Sequence, residues 1–178
     1  MRGAAGFQRN GRTPEPPATH LARCGGRGAH PLPRDDGRMA DTFTSRTIEV
    51  VTGASETVHD LTAACKEFLG AAARGRDGLL NVFTPHATAG LAVIETGAGS
   101  DEDLLEALRT LLPADDRWRH RHGSPGHGRD HVLPAFVPPH MTLPVLGGEL
   151  ALGTWQSVVL VDTNRDNPRR QVRLSFLG

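Results

Sequence analysis

Four of the chain's nine histidines fall in one short window, His120-Arg-His122-Gly-Ser-Pro-Gly-His127-Gly-Arg-Asp-His131. Neutral imidazole is the commonest protein metal ligand, and histidine is the one side chain that titrates near neutrality without help from its surroundings. The interleaved glycines and proline let the backbone fold back, so that several rings can converge. On an extended strand, His-x-His points both rings the same way, but a Gly/Pro loop need not be extended. Two readings therefore stand on spacing alone: a metal-binding centre and a solvated loop.

Other groups with chemical potential are dispersed: His86, Glu95, Asp130, Trp155-Gln156 and Arg169-Arg170. His86 stands between two apolar segments, where a polar side chain is costly unless paired. Two or three imidazoles and a carboxylate would hold zinc, nickel, copper or manganese, with an open position for water or substrate. His59, like His20 and His30 near the N-terminus, reads as surface, and His140 after Pro138-Pro139 as a turn residue. His122 and His127, set among flexible residues, read as accessories to a site or as exposed. Trp155 is expected in the core or at a subunit contact. There is no Gly-x-Ser-x-Gly, phosphate loop, His-Glu-x-x-His or dinucleotide fingerprint.

The elements that must position these groups follow from periodicity. Residues 43–52 are rich in β-branched types and read as a strand. A helix is expected over about 60–73, with Leu61, Cys65, Phe68 and Leu69 on one stripe and Gly75 as its stop. Cys65 on that stripe reads as a buried structural thiol. Residues 78–84 and 89–95 read as strands buried on both faces. Ser100 can cap a second helix, with Asp101, Glu102 and Asp103 at its positive end. Leu104, Leu105, Leu108, Leu111 and Leu112 form its apolar face, and Pro113 ends it. The histidine window follows as a loop. Strands are then expected at 141–145, 154–162 and 169–177, with Gly147-Gly148 as a tight turn. The pattern predicts an α+β domain, a mostly antiparallel β-sandwich with two inserted helices.

Length and charge bound the rest. A chain of 178 residues suits one domain with a proper core. Its formal net charge of zero argues against a dedicated nucleic-acid or anionic-membrane partner. Residues 1–38 carry seven Arg against three acidic residues, together with seven Gly and five Pro, and show no apolar periodicity. They read as a disordered extension, leaving 39–178 as the domain. Two cysteines are too few for a disulfide scaffold. There is no apolar run long enough for a membrane span and no secretory pattern, so a cytoplasmic location is expected.

Several ordered motifs resemble the signature of the YjbQ family. His86-Ala-Thr-Ala-Gly90 with Ile94-Glu95 is similar to its H-T-T-A-G … N-E, and Trp118-Arg-His120 to its Tyr-Arg-His. Asp130-His131 parallels its Ala-His, Thr142-Leu-Pro144-Val its T-I-P-V/I, and Leu152-Gly-Thr-Trp-Gln156 its L-G-T-W-Q. Arg169-Arg170 falls where the family has a basic pair. The resemblance covers about 41–178 and implies an α+β sandwich-like domain that forms homotrimers. It also implies a weak, secondary thiamine-phosphate synthase activity, joining a thiazole phosphate to a pyrimidine diphosphate and releasing pyrophosphate.

Carried over by position, His86, His120 and His131 are the implied metal ligands, with zinc the first expectation. Glu95, Gln156 and Arg170 are the implied catalytic groups, the arginine fork suiting a phosphate. Ile94 stands where the family often has Asn, Ala98 replaces an acidic residue, and His122 and His127 are additions. The implied partner is a small anionic or phosphorylated molecule. A non-catalytic trimeric metal- or small-molecule-binding module is the second reading.

Overall fold

The computed structural model describes residues 43–178, so the expected extension 1–38 and the boundary at 39 lie outside the described residues. The elements run β1 (Phe43–Val51), β2 (Thr57–Asp60), α1 (Thr62–Ala72), β3 (Gly78–Phe83), β4 (Ala89–Ile94), α2 (Ser100–Leu111), β5 (His140–Leu146), β6 (Glu149–Leu150), β7 (Ser157–Asp162) and β8 (Arg169–Leu177). Two antiparallel sheets result. One has the order β1-β8-β3-β5-β6 and the other β2-β7-β4.

The alternation in 169–177 becomes the central ladder of the larger sheet. Val172, Leu174 and Phe176 are buried, and β1 pairs with β8 along its whole length, from Phe43↔Leu177 to Val51↔Arg169. The buried face of this sheet meets Cys65, Phe68, Leu69 and Ala72 of α1 and Ala89, Leu91, Val158 and Leu160 of the smaller sheet in one core. Each fully buried Leu or Phe there contributes roughly 2 kcal/mol. Burial, with the nearby Asp60 charge, pushes the Cys65 thiol up to about 12, so it is an inert packing group.

A second core lies on the far face of the smaller sheet. Val159 and Val161 of β7 pack there with Leu108 and Leu112 of the α2 segment and with Leu133 and Val137. β7 is thus covered on both faces, which explains its unbroken run Val158-Val-Leu-Val161. β4 is covered as expected, with Leu91 on one core and Ala92 and Ile94 on the other. β3 is not: Leu79 points outward and is 46% exposed, because nothing among the described residues covers that face of the larger sheet.

The strands expected at 43–52, 78–84, 89–95, 141–145 and 169–177 are found within two residues, and α1 and α2 fall where periodicity puts them. Ser100 does not cap α2. Gly99, left-handed, takes that position, and Ser100 is the first helical residue. The expected strand at 154–162 begins only at Ser157. Trp155 therefore sits in the preceding turn, 72% exposed in the single chain rather than in the core. The short strands β2 and β6 have too few residues to show a period and were not expected.

A four-imidazole cluster beside an inter-sheet cleft

The segment between α2 and β5 is held in place by its polar groups. Arg129, almost wholly buried, donates to the Leu112 carbonyl at 3.3 Å and pairs with the buried Glu56 carboxylate, which also accepts from Arg109 at 2.7 Å. Burial pushes the Glu56 carboxyl up. The bonds from the two arginines outweigh it, and the net position is below the ordinary carboxylate range. A short 3₁₀ turn at His127–Arg129 and a second at Leu133–Ala135 then fold the chain back. Close packing requires glycine here. A Cβ on Gly123 (φ +82°) would lie 2.5 Å from Asp166 Oδ2 and 3.0 Å from His127 Cγ.

This folding brings all four window histidines together. The potential ligand atoms of His120, His122, His127 and His131 lie within 4.8 Å of one another. Ring centroids are 4.1 Å apart for His120/His122, 4.2 Å for His120/His131 and 4.8 Å for His127/His131. His127 Nε2 and His131 Nε2 are 2.9 Å apart. His127 is buried, His131 half-buried, and His120 and His122 exposed. Burial first, then the neighbouring imidazoles, push His131 below its ordinary value.

The donor set fits a divalent ion. Imidazole nitrogens at about 2.0–2.1 Å from a tetrahedral zinc would lie about 3.3 Å apart, and three of the four rings suffice for a site with one open position. The observed spread needs only small side-chain adjustment to reach that. His127 also has a carboxylate behind it. Its buried Nδ1 lies 3.0 Å from Asp166 Oδ2 and 3.6 Å from Asp130 Oδ2, with no aligned hydrogen bond to either. A carboxylate at the far nitrogen of a ligating histidine is a common orienting device in metal sites.

Asp166 is itself set by a relay. Arg170 of β8 is 1% exposed and directs Nε and Nη2 onto the Asp162 carboxylate of β7, at 2.7 and 2.8 Å. This pair ties the two sheets together. Asp162 Oδ1 also accepts from Asn164 N–H (3.0 Å), and Asn164 Oδ1 accepts from Asp166 N–H (2.6 Å). Asp166 Oδ2 in turn accepts from Ser124 N–H at 2.9 Å, the bond chiefly responsible for holding its carboxyl low. Asp130 is pushed up by burial, opposed by the Thr163 hydroxyl, which donates to it at 2.7 Å.

A cleft of about 400 Å³ opens beside the cluster, lined by His86, His122, His127, His131, Asn164 and Asp166, with Arg170 at its edge. His86 reaches this cleft from the β3–β4 connection but is not one of the four clustered rings. Its Nε2 accepts the Gln171 N–H at 2.8 Å, so that nitrogen is already used. Burial, then the Arg170 guanidinium, push His86 below its ordinary value.

Of the positions expected from sequence, His120 and His131 come together, and His122 and His127 join them as full members rather than accessories. Arg170 reaches the cleft, but its fork is turned onto Asp162 rather than presented to an anion. Glu95 and Gln156 do not reach it. The cleft lies at the Ala89↔Asp162 end of the β4–β7 ladder, and both residues lie beyond the Ile94↔Ser157 end. Glu95 lies six positions beyond Ala89, about 20 Å along the strand direction at roughly 3.3 Å per residue. Gln156 Oε1 closes its own turn by accepting Gly153 N–H at 2.8 Å. Asp162, Asn164 and Asp166 were not singled out from sequence. Their signal was the alternating Asp-x-Asn-x-Asp, a run suited to successive side-chain-to-backbone turns.

A protein-family model described as UPF0047 protein YjbQ-like matches residues 46–178. The chain belongs to the YjbQ family. A UPF0047 protein of Mycobacterium tuberculosis is 67% identical over 118 residues, 66% of this chain and 86% of that protein. A UPF0047 protein of Archaeoglobus fulgidus is 33% identical over 97 residues, 54% of this chain and 76% of its own length. Among solved structures, a YbjQ-like protein of unknown function from Sulfolobus solfataricus superposes with a TM-score of 0.72 at 23% identity. That match covers 78% of this chain and 99% of the other, and supports the fold. A hypothetical protein from Aeropyrum pernix gives 0.68 at 33% identity, covering 76% and 98%. The antiparallel, β-rich α+β architecture is therefore that of solved YjbQ-like proteins. No helix among the described residues is long and apolar enough to cross a membrane.

Proposed function

We propose that this YjbQ-family chain is a metal-dependent enzyme acting on a small polar substrate in the cleft, with zinc as the ion. The observation that carries this reading is the convergence of His120, His122, His127 and His131 within 4.8 Å. Held by three of the four imidazoles, with one position left open, a divalent ion would supply Lewis acidity and an activated water. The chain's own part is to hold the imidazoles in place, His127 through Asp166, and to offer a polar cleft beside them.

The resemblance gives this a specific form: condensation of a thiazole phosphate with a pyrimidine diphosphate, releasing pyrophosphate. Because the Arg170 fork is taken by Asp162, phosphate oxygens would depend on the ion and on the neutral donors of the cleft. A homotrimer is proposed on the same resemblance, and the exposed Phe43, Leu79 and Leu177 on the larger sheet support association.

Metal analysis of the purified full chain tests the centre. Zinc at about one per chain is expected, with His131→Ala weakening zinc at least tenfold in competition with a chelator. Unchanged zinc affinity in that variant would sink the assignment. Pyrophosphate release from the two thiamine precursors, lost in the same variant, is the expected outcome for the specific form.

A further inference from the structure

Resting on that metal reading, we propose that His86 is not a ligand but a fixed neutral donor: its Nδ1–H holds a carbonyl or oxyanion oxygen of a small molecule that also reaches the metal centre. The tautomer follows from geometry. Nε2 accepts the Gln171 backbone N–H at 2.8 Å, and a nitrogen that accepts carries no proton. In the neutral ring the proton is then on Nδ1. The backbone that fixes it belongs to β8, anchored one residue earlier by the Arg170–Asp162 pair. His86 is therefore held by the same frame that positions Asp166 against His127.

Location makes this donor useful. His86 lines the cleft that His122, His127 and His131 also line, so a ligand seated there touches both. No charged donor in the cleft lining competes for the role. Arg170, the cleft's cation, is 1% exposed with its fork on Asp162, and Asp166 adds a negative charge. An oxygen bound there meets the ion on one side and a neutral N–H on the other. That arrangement polarises a carbonyl-type oxygen without placing a second cation beside the metal. A neutral imidazole acting as electrophile is an established way to stabilise developing negative charge.

The test uses the zinc-loaded full chain with acetohydroxamate as probe, a small molecule that chelates the ion through its two oxygens and keeps a lone pair on the carbonyl oxygen to accept. His86→Gln retains an acceptor for the Gln171 N–H while removing the Nδ1–H, and His86→Ala removes both. Zinc affinity is expected to match wild type in both variants, and acetohydroxamate affinity to fall about tenfold, the loss of one hydrogen bond of about 1.4 kcal/mol. Thermal melting of both variants checks folding. Long-range ¹H–¹⁵N spectra of the wild type should show Nδ1 protonated and Nε2 bare in His86, with the Nδ1 proton shifting when acetohydroxamate is added. That shift would not arise from a purely structural role. Zinc lost from both folded variants, acetohydroxamate binding unchanged in them, or a proton on Nε2 overturns the assignment while leaving the metal centre standing. A wild-type chain that binds no zinc removes the metal reading and this role with it.

Discussion

An imidazole that offers Nε2 to a shared centre needs its other nitrogen held, or the ring turns away. In His127 that nitrogen faces Asp166 Oδ2 at 3.0 Å, and Asp166 is itself fixed by Ser124 and Asn164. Asp166→Asn keeps the shape and removes the charge. The expected result is zinc affinity weakened by about tenfold or more, read by chelator competition, with thermal stability little changed because an amide oxygen can still accept from Ser124 N–H. Affinity equal to wild type would mean that Asp130, not Asp166, orients the ring. The same scale explains why Arg170 gives up its expected role. A guanidinium buried between two sheets costs too much desolvation to remain unpaired, and Asp162 satisfies it in bidentate geometry.

The elements around the site are tied together by polar groups at their ends. Arg129 of the histidine segment reaches Glu56 in the β1–β2 connection, and Glu56 also receives Arg109 of α2. Glu56→Gln breaks a buried pair and should cost about 3 kcal/mol at neutral pH, measured by chemical denaturation. The sign of its pH dependence is set by the lowered carboxyl. A group whose folded pKa is depressed contributes fully above its unfolded pKa, and that contribution is lost as pH falls through the folded value. The stability gap between wild type and Glu56→Gln should therefore narrow on acidification through the carboxylate range. A gap that widens instead would mean another group dominates. At this scale the sequence was legible where elements were long. β1, β8 and both helices carried enough residues to show their period, whereas β2 and β6 did not.

At the scale of the molecule, the outer face of the larger sheet carries a row set by register: Phe43, Leu177, Leu79 and Pro144 lie side by side across four strands. Phe43 is 68%, Leu177 48% and Leu79 46% exposed. An uncovered apolar row on a sheet marks an association surface. If copies of the chain meet there, light scattering on the full chain should give three times the monomer mass, and Leu79→Glu with Leu177→Glu should reduce it to the monomer. A double variant that remains trimeric would place the contact elsewhere. Trp155, equally exposed at the opposite end from the cleft, is the next surface to test.

The sequence by itself determined what local chemistry can determine. The histidine window stood out by density, the strands and helices by their periods, and the YjbQ resemblance by several short motifs in order. It did not determine which side chains meet. Glu95 and His86 lie near each other in sequence, yet a strand carries them to opposite ends of the sheet. Arg170 and Asp162 are eight residues apart in different sheets, yet form one buried pair. His122 and His127 read as accessories, yet a 3₁₀ turn and a close-packed glycine bring them against His120 and His131. Those outcomes depend on long-range register and on the burial of unpaired charge, and both are fixed only when the sheets close on their shared cores.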